Sequence, residues 1–170
     1  MTTETAHPEL TLTRVFNAPR ELVFQAWTDP DHLARWWGSP GVPLRVVSAD
    51  IRPGGRFLYQ QTTPDGNVMQ ALLIFRELEP PSRIVFVSAF ADAEGQIARA
   101  PFSEHWPLQI MTTLTLTEEN GQTHLTLQGA PLDATPEEQA MFDGFRANME
   151  QGFAGSFAQL EAHLAAVAAG

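Results

Sequence analysis

The stretch TPEEQAMFDGFRANMEQGFAGSFAQLEAHLAA, residues 135–166, decides the fold. Thr135-Pro136-Glu137-Glu138 has the form of a capping box, with proline at the first helical position. From there Phe142, Phe145, Met149, Phe153, Ser156, Phe157, Leu160 and Leu164 recur at three- and four-residue steps. Such spacing predicts one helix with an apolar stripe along it, roughly thirty residues and ~45 Å long at 1.5 Å per residue. Glu137, Asp143, Glu150 and Glu161 fall on the opposite face. A helix this long and this one-sided needs a broad apolar surface to lie on.

The rest of the chain supplies one. Leu10, Leu12 and Arg14 alternate with Thr11, Thr13 and Val15, which predicts a half-buried first strand. Two short helices follow: one begins at Pro19 with Leu22, Val23, Ala26 and Trp27 on its apolar face. The second has Asp29 as cap and Pro30 at its first position, and ends at Gly38 with Pro40 beyond. Strands are expected over 44–51, 56–62, 68–76, 84–90, 106–117 and 123–129, with Ala91 to Glu104 as the longest loop. Asp65-Gly66 and Asn120-Gly121 are hairpin turns, and such short connections make the sheet antiparallel. In the last hairpin Leu108, Ile110, Leu114, Leu116, Leu125 and Leu127 point one way, with polar residues opposite. Residues 68–75, VMQALLIF, are apolar on both faces apart from Gln70, a hint of a second cover such as a homodimer partner.

These elements add up to a single α+β domain with an ordered core over about residues 10–166. A curved antiparallel sheet wraps a long C-terminal helix, with two short helices after the first strand. A helix ~10–12 Å across cannot touch all of a strongly curved sheet, so a gap is expected beside it. Gly144, Gly152 and Gly155 lie inside the helix, where each costs about 1 kcal/mol against alanine. Glycine there either lets helix and sheet close up or leaves room for a guest.

Composition removes whole classes of chemistry. The 170 residues contain no cysteine, which excludes thiol nucleophiles, disulfides and thiolate metal sites. They contain no lysine either, so Schiff-base chemistry and a P-loop lysine are out. A net charge of −10 disfavours nucleic acid and anionic membrane surfaces as partners. The N-terminus has neither a basic start nor an apolar run, and no stretch approaches a membrane span, so a cytoplasmic location is expected. His7, His32, His105, His124 and His163 show no metal-ligand spacing, and neither a metal nor an organic cofactor is implied.

Three segments carry a family resemblance. VFNAPRELVFQAWTDPDHLARWWG (15–38), DIRPGGRF (50–57) and RELEPPSRIVF (76–86), with the Gly152-Phe153 step, resemble the activator of Hsp90 ATPase homologue family. That family lies within the START/Bet v 1-like (SRPBCC) helix-grip superfamily, and the likeness spans roughly residues 10–165. The resemblance implies six or seven antiparallel strands gripping the C-terminal helix over a central cavity, and no shared catalytic triad. Relatives across the superfamily bind lipids, hormones or polyketides, and some act as cyclases or hydratases. The co-chaperone of the name has an additional N-terminal domain that this sequence does not contain.

Candidate site residues follow from what such a cavity needs. Trp27, Trp36, Trp37, Phe57, Tyr59 and Trp106 could line the mouth of an apolar pocket, with indole N–H groups left to orient a ligand. Ser88 falls on the face of Ile84, Phe86 and Phe90, Thr112 falls with Ile110 and Leu114, and Ser156 interrupts the helical stripe. The ligand-binding set expected is Trp36, Phe57, Tyr59, Phe86, Ser88, Trp106, Thr112, Phe145, Met149, Gly152 and Phe153. Arg45, Arg52 and Arg56 surround a Pro-Gly-Gly turn, where pairing with surface carboxylates competes with clamping an anion.

Three functions are carried forward. The first is a binding protein for an apolar or amphipathic small molecule. The second is a protein-interaction module partnering an Hsp90-type chaperone, which predicts a filled core and function on the outer sheet face or the loop 91–104. The third is a cyclase- or hydratase-type enzyme using His105 as general base, or a pocket carboxylate.

Overall fold

The computed structural model describes residues 10–38, 42, 44–101 and 103–169; His7, Pro40 and the rest of the first nine residues lie outside them. Its elements are β1 (Leu10–Phe16), α1 (Arg20–Thr28), α2 (Pro30–Trp36), β2 (Leu44–Ala49), β3 (Arg56–Thr62) and β4 (Val68–Glu79). They continue with β5 (Arg83–Ala91), β6 (Ile97–Ala98), β7 (Ile110–Glu119), β8 (Gln122–Pro131), α3 (Pro136–Gly144) and α4 (Arg146–Ala169). The strands form one antiparallel sheet in the order β1-β8-β7-β5-β4-β3-β2, with β6 paired to β5. β1 and β2 are the two edges, and α1–α2 carries the chain between them. The architecture is the α+β arrangement that the alternation and the long apolar stripe predict, and the helix grip that the family resemblance implies.

Register places the core. Phe86 pairs with Phe75 on one side and Thr112 on the other, and Leu114 with Ile84 and Leu127, so their side chains share the concave face. Phe57, Leu73, Leu116 and Leu125 join them, each at most 1% exposed. Bulges at Val46/Ser48 and Phe75/Glu77 add twist on the β2–β4 side. Leu72 and Leu73 point to opposite faces and are both buried within the one chain, so neither requires a partner subunit. On the outer face the β5–β6 turn lies close to Leu58, the neighbour of Leu72.

Three expectations need correction. The C-terminal helix is not one run: Phe145, at φ −98° and ψ 8°, separates α3 from α4. Gly144 weakens the helix just before the break. The Phe145 ring turns toward Trp106, with centroids 5.6 Å apart, and its side chain is 38% exposed rather than on the inward stripe. The strand expected from 106 begins only at Ile110, because Pro107 has no N–H to give the ladder. The polar loop 91–104 folds back as β6, through a turn in which the Asp92 carboxylate accepts from the Glu94 and Gln96 amides.

Helix capping follows the local sequence. Thr135 and Glu138 form the reciprocal capping box, and the Asp29 side chain accepts from the Asp31 amide. Pro19 sits one position earlier than expected, as the cap of α1 rather than its first residue. Ala26 cannot give its carbonyl to the residue four on, since that residue is Pro30. Trp36 Nε1 takes this place, donating to Ala26 O at 2.9 Å.

The placement of α4 creates the site. Its backbone packs on α1, α2 and β1. The half of the sheet formed by β3, β4 and β5 curls away from it, and the space between remains open.

Candidate functional site

A cavity of about 400 Å³ occupies that space. Tyr59 and Gln61 come from β3, Met69 and Ala71 from β4, Ser88 and Phe90 from β5. Met149, Gly152, Phe153 and Ser156 face them from α4, while Trp37 with Gly38 and Trp106 with Pro107 form the remaining walls. A second space of about 90 Å³ adjoins it, sharing Trp37, Ser88, Ile110, Met149 and Phe153 and reaching Phe86, Thr112 and Phe142. The volume falls in the range of about 300–1,000 Å³ typical of small-molecule sites.

Gly152 decides whether the helix glycines close a contact or leave a space. A Cβ built there meets no atom of the sheet or of α2 within 4 Å, so this glycine closes no contact and borders the cavity. Gly38 has φ +98°, and a Cβ on it would strike the Gln61 side chain. That makes glycine the residue for a tight corner between α2 and the cavity wall.

The lining is apolar, and no described residue of it carries a charge at neutral pH. Its polar groups are few and mostly occupied. Ser156 Oγ donates to Gly38 O at 2.7 Å, and Gln61 Nε2 to Val42 O at 3.1 Å. Ser88 Oγ reaches Ile110 O only at 3.5 Å, the longest of these contacts. Burial pushes the Tyr59 phenol above its ordinary value, and the nearby Trp37 indole partly opposes that shift. Trp37 Nε1 is itself buried without a hydrogen bond of normal geometry. Tyr59 is therefore a neutral donor at physiological pH.

The expected residues divide by place. Tyr59, Ser88, Trp106, Met149, Gly152 and Phe153 line the main cavity, and Phe86 and Thr112 the smaller one. Trp36, Phe57 and Phe145 line neither. Trp36 is 1% exposed in a cluster with Trp27, ring centroids 4.6 Å apart, and Phe57 is fully buried against Tyr59. His105 lies on the surface, its side chain 56% exposed and 3.8 Å from Glu104, outside the cavity. Arg45, Arg52 and Arg56 go separately to Gln60, Asp50 and Gly95 O and form no clamp. Gln61, Met69 and Ala71 were missed, because nothing local distinguishes them from ordinary half-buried strand residues.

Trp106 is held from behind. Arg99 Nη1 donates to Trp106 O at 3.3 Å and to the Glu138 carboxylate at 2.5 Å, tying the segment after β6 to the start of α3. The Arg99 bond holds the Glu138 carboxyl below its ordinary range, helped by the Thr135 amide. Among the described residues no group of three or more His, Asp or Glu side chains could hold a metal, and no helix is long and apolar enough to cross a membrane.

A sheet gripping a long helix over an apolar cavity defines a helix-grip protein. Within that class the chain belongs to the family described as Activator of Hsp90 ATPase homolog 1-like protein (AHSA1), whose model matches residues 17–165. Among solved structures it is similar to protein Ms6760 of Mycobacterium smegmatis, at 28% identity over 95% of this chain and 93% of that one, with a TM-score of 0.75. A protein of Arthrobacter aurescens is 27% identical over 96% and 90%, with a TM-score of 0.78. Protein CV1439 of Chromobacterium violaceum is 29% identical over 92% and 96%, with a TM-score of 0.68. No curated protein sequence matches.

Proposed function

We propose that the protein binds an uncharged, mainly apolar small molecule between the sheet and α4. The observation that carries this reading is the cavity of about 400 Å³ whose described lining holds no charged side chain. A charged ligand would lose its hydration there with no counter-ion to replace it. Met149, Phe153, Trp106 and Phe90 supply contact area, and the Tyr59 and Ser88 hydroxyls are placed to pair with one polar group of the ligand. The open core favours this reading over an interaction module, for which a filled core is expected. Nothing at His105 favours the enzyme reading, since its ring lies outside the cavity.

Native mass spectrometry of freshly purified protein, before and after denaturation, tests the proposal. A reproducible adduct of a few hundred daltons, lost on denaturation, supports it. Failure to take up a neutral apolar probe such as Nile red, in protein shown to be folded, overturns it.

A further inference from the structure

Three contacts fasten α2 to one side of α4, two at its end through Gly38 and Trp36 and one in its first turn through His32. Ser156 Oγ donates to Gly38 O at 2.7 Å, Gln159 Nε2 donates to Trp36 O at 3.0 Å, and His163 Nε2 lies 2.8 Å from His32 Nδ1. Positions 156, 159 and 163 are three and four residues apart, so they share one face of the helix. The segment they hold ends in Trp37 and Gly38, a wall of the cavity.

The histidine contact differs from the other two because it can titrate. A ring nitrogen pair at 2.8 Å needs one donor and one acceptor. With no proton added, or with one shared between the rings, that requirement is met. With two, both nitrogens are donors, the bond is lost and two cations face each other across the α2–α4 contact. We propose that this second protonation releases the Trp37–Gly38 wall, so that ligand binding in the cavity is proton-linked through His32 and His163.

The surroundings disfavour the doubly charged state. Burial holds His163 below the ordinary histidine value, with further contributions from His32 and then from Arg35 on α2. His32 lies in the first turn of α2. The carboxylates on neighbouring elements are otherwise engaged or exposed. Glu161 of α4 pairs with Arg14 of β1 at 3.2 Å, and Asp29 caps α2 through the Asp31 amide, with the Asp31 side chain exposed. A His163 value lowered in the fold means that its contribution to stability is present above the ordinary histidine range. That contribution is lost as pH falls through the lowered value.

The inference rests on the cavity reading, and its test separates the two. In the intact protein between pH 7.5 and 5.0, the Trp37 indole N–H resonance and the two histidine ring resonances are followed by NMR, alongside Nile red titrations. The Trp37 resonance should shift with the lower of the pair's two titrations. Below that point Nile red affinity should fall about tenfold per pH unit if only the closed wall binds. His163→Gln keeps a partner for His32 but cannot take the second proton, so both responses should flatten while binding at pH 7.5 persists. His32→Asn should do the same and serves if the first variant is poorly folded. A Trp37 resonance that ignores the histidine titration, or variants that keep the wild-type pH dependence, would overturn the proposal. Absence of Nile red binding at every pH overturns the cavity reading instead, and the Trp37 signal then still decides the latch.

Discussion

Ser156 and Gly38, 118 positions apart in sequence, are joined by a 2.7 Å hydrogen bond from the serine hydroxyl to the glycine carbonyl oxygen. The bond fixes the corner where the chain leaves α2 and becomes a wall of the cavity. Ser156→Ala leaves the Gly38 carbonyl without this donor, which should cost about 1–2 kcal/mol in urea unfolding. Nile red affinity should drop at the same time. An unchanged affinity with lowered stability would show that the wall holds its place without this bond.

Gly152 offers the most direct test of the cavity. Gly152→Leu places a side chain where no atom lies within 4 Å, so it fills the space instead of straining the helix. Loss of Nile red binding by tenfold or more is expected, with thermal stability kept or raised by up to about 1 kcal/mol from improved helix propensity. Full binding by this variant would place the ligand elsewhere.

Trp36 and Trp106 should respond in opposite ways. Trp36→Phe removes the donor to Ala26 O, whose usual helical partner is replaced by Pro30. The expected result is a loss of about 1–3 kcal/mol in stability with affinity unchanged. Trp106→Ala should lower affinity for Nile red, since the indole lines the cavity. Equal effects on affinity would contradict the assignment of Trp36 to the core.

Acid sensitivity is expected at the Arg99–Glu138 pair. The Glu138 carboxyl is held below its ordinary value, so the stability it adds is present above the usual glutamate range. That increment is lost as pH falls through the lowered value. The Arg99 side chain is 45% exposed, and solvent screening keeps the effect small. Glu138→Gln should flatten this part of the pH–stability curve, measured by thermal melts between pH 6 and 3. A parallel curve for the variant would assign the acid response to other carboxylates.

Much of the fold was legible because local rules agree with one another here. Thr135, Pro136 and Glu138 announce the start of a helix, Asn120-Gly121 a hairpin, and the Leu114–Leu116 and Leu125–Leu127 alternation a one-sided sheet. Where the reading failed, a longer-range contact had overridden the local pattern. Phe145 keeps the helical spacing, yet its ring packs on Trp106 at the helix break. Asp92 organises a turn that pairs β6 with β5, in a stretch whose composition reads as loop.

The candidate site was legible in kind more than in detail. A stripe of Met149, Phe153 and Phe157 and a face of Phe86, Ser88 and Phe90 declare that helix and sheet must meet, and periodicity carries that much by itself. Where they fail to meet is a property of sheet curvature and of how α4 lies on α1, α2 and β1. Only that placement separates Trp37 from Trp36, adjacent in sequence, sending one to the cavity wall and the other into the core. Gly152 likewise became an opening only when nothing packed above it. Local sequence specifies which surfaces are apolar, and the gap left between two curved surfaces is set by their relative position in space.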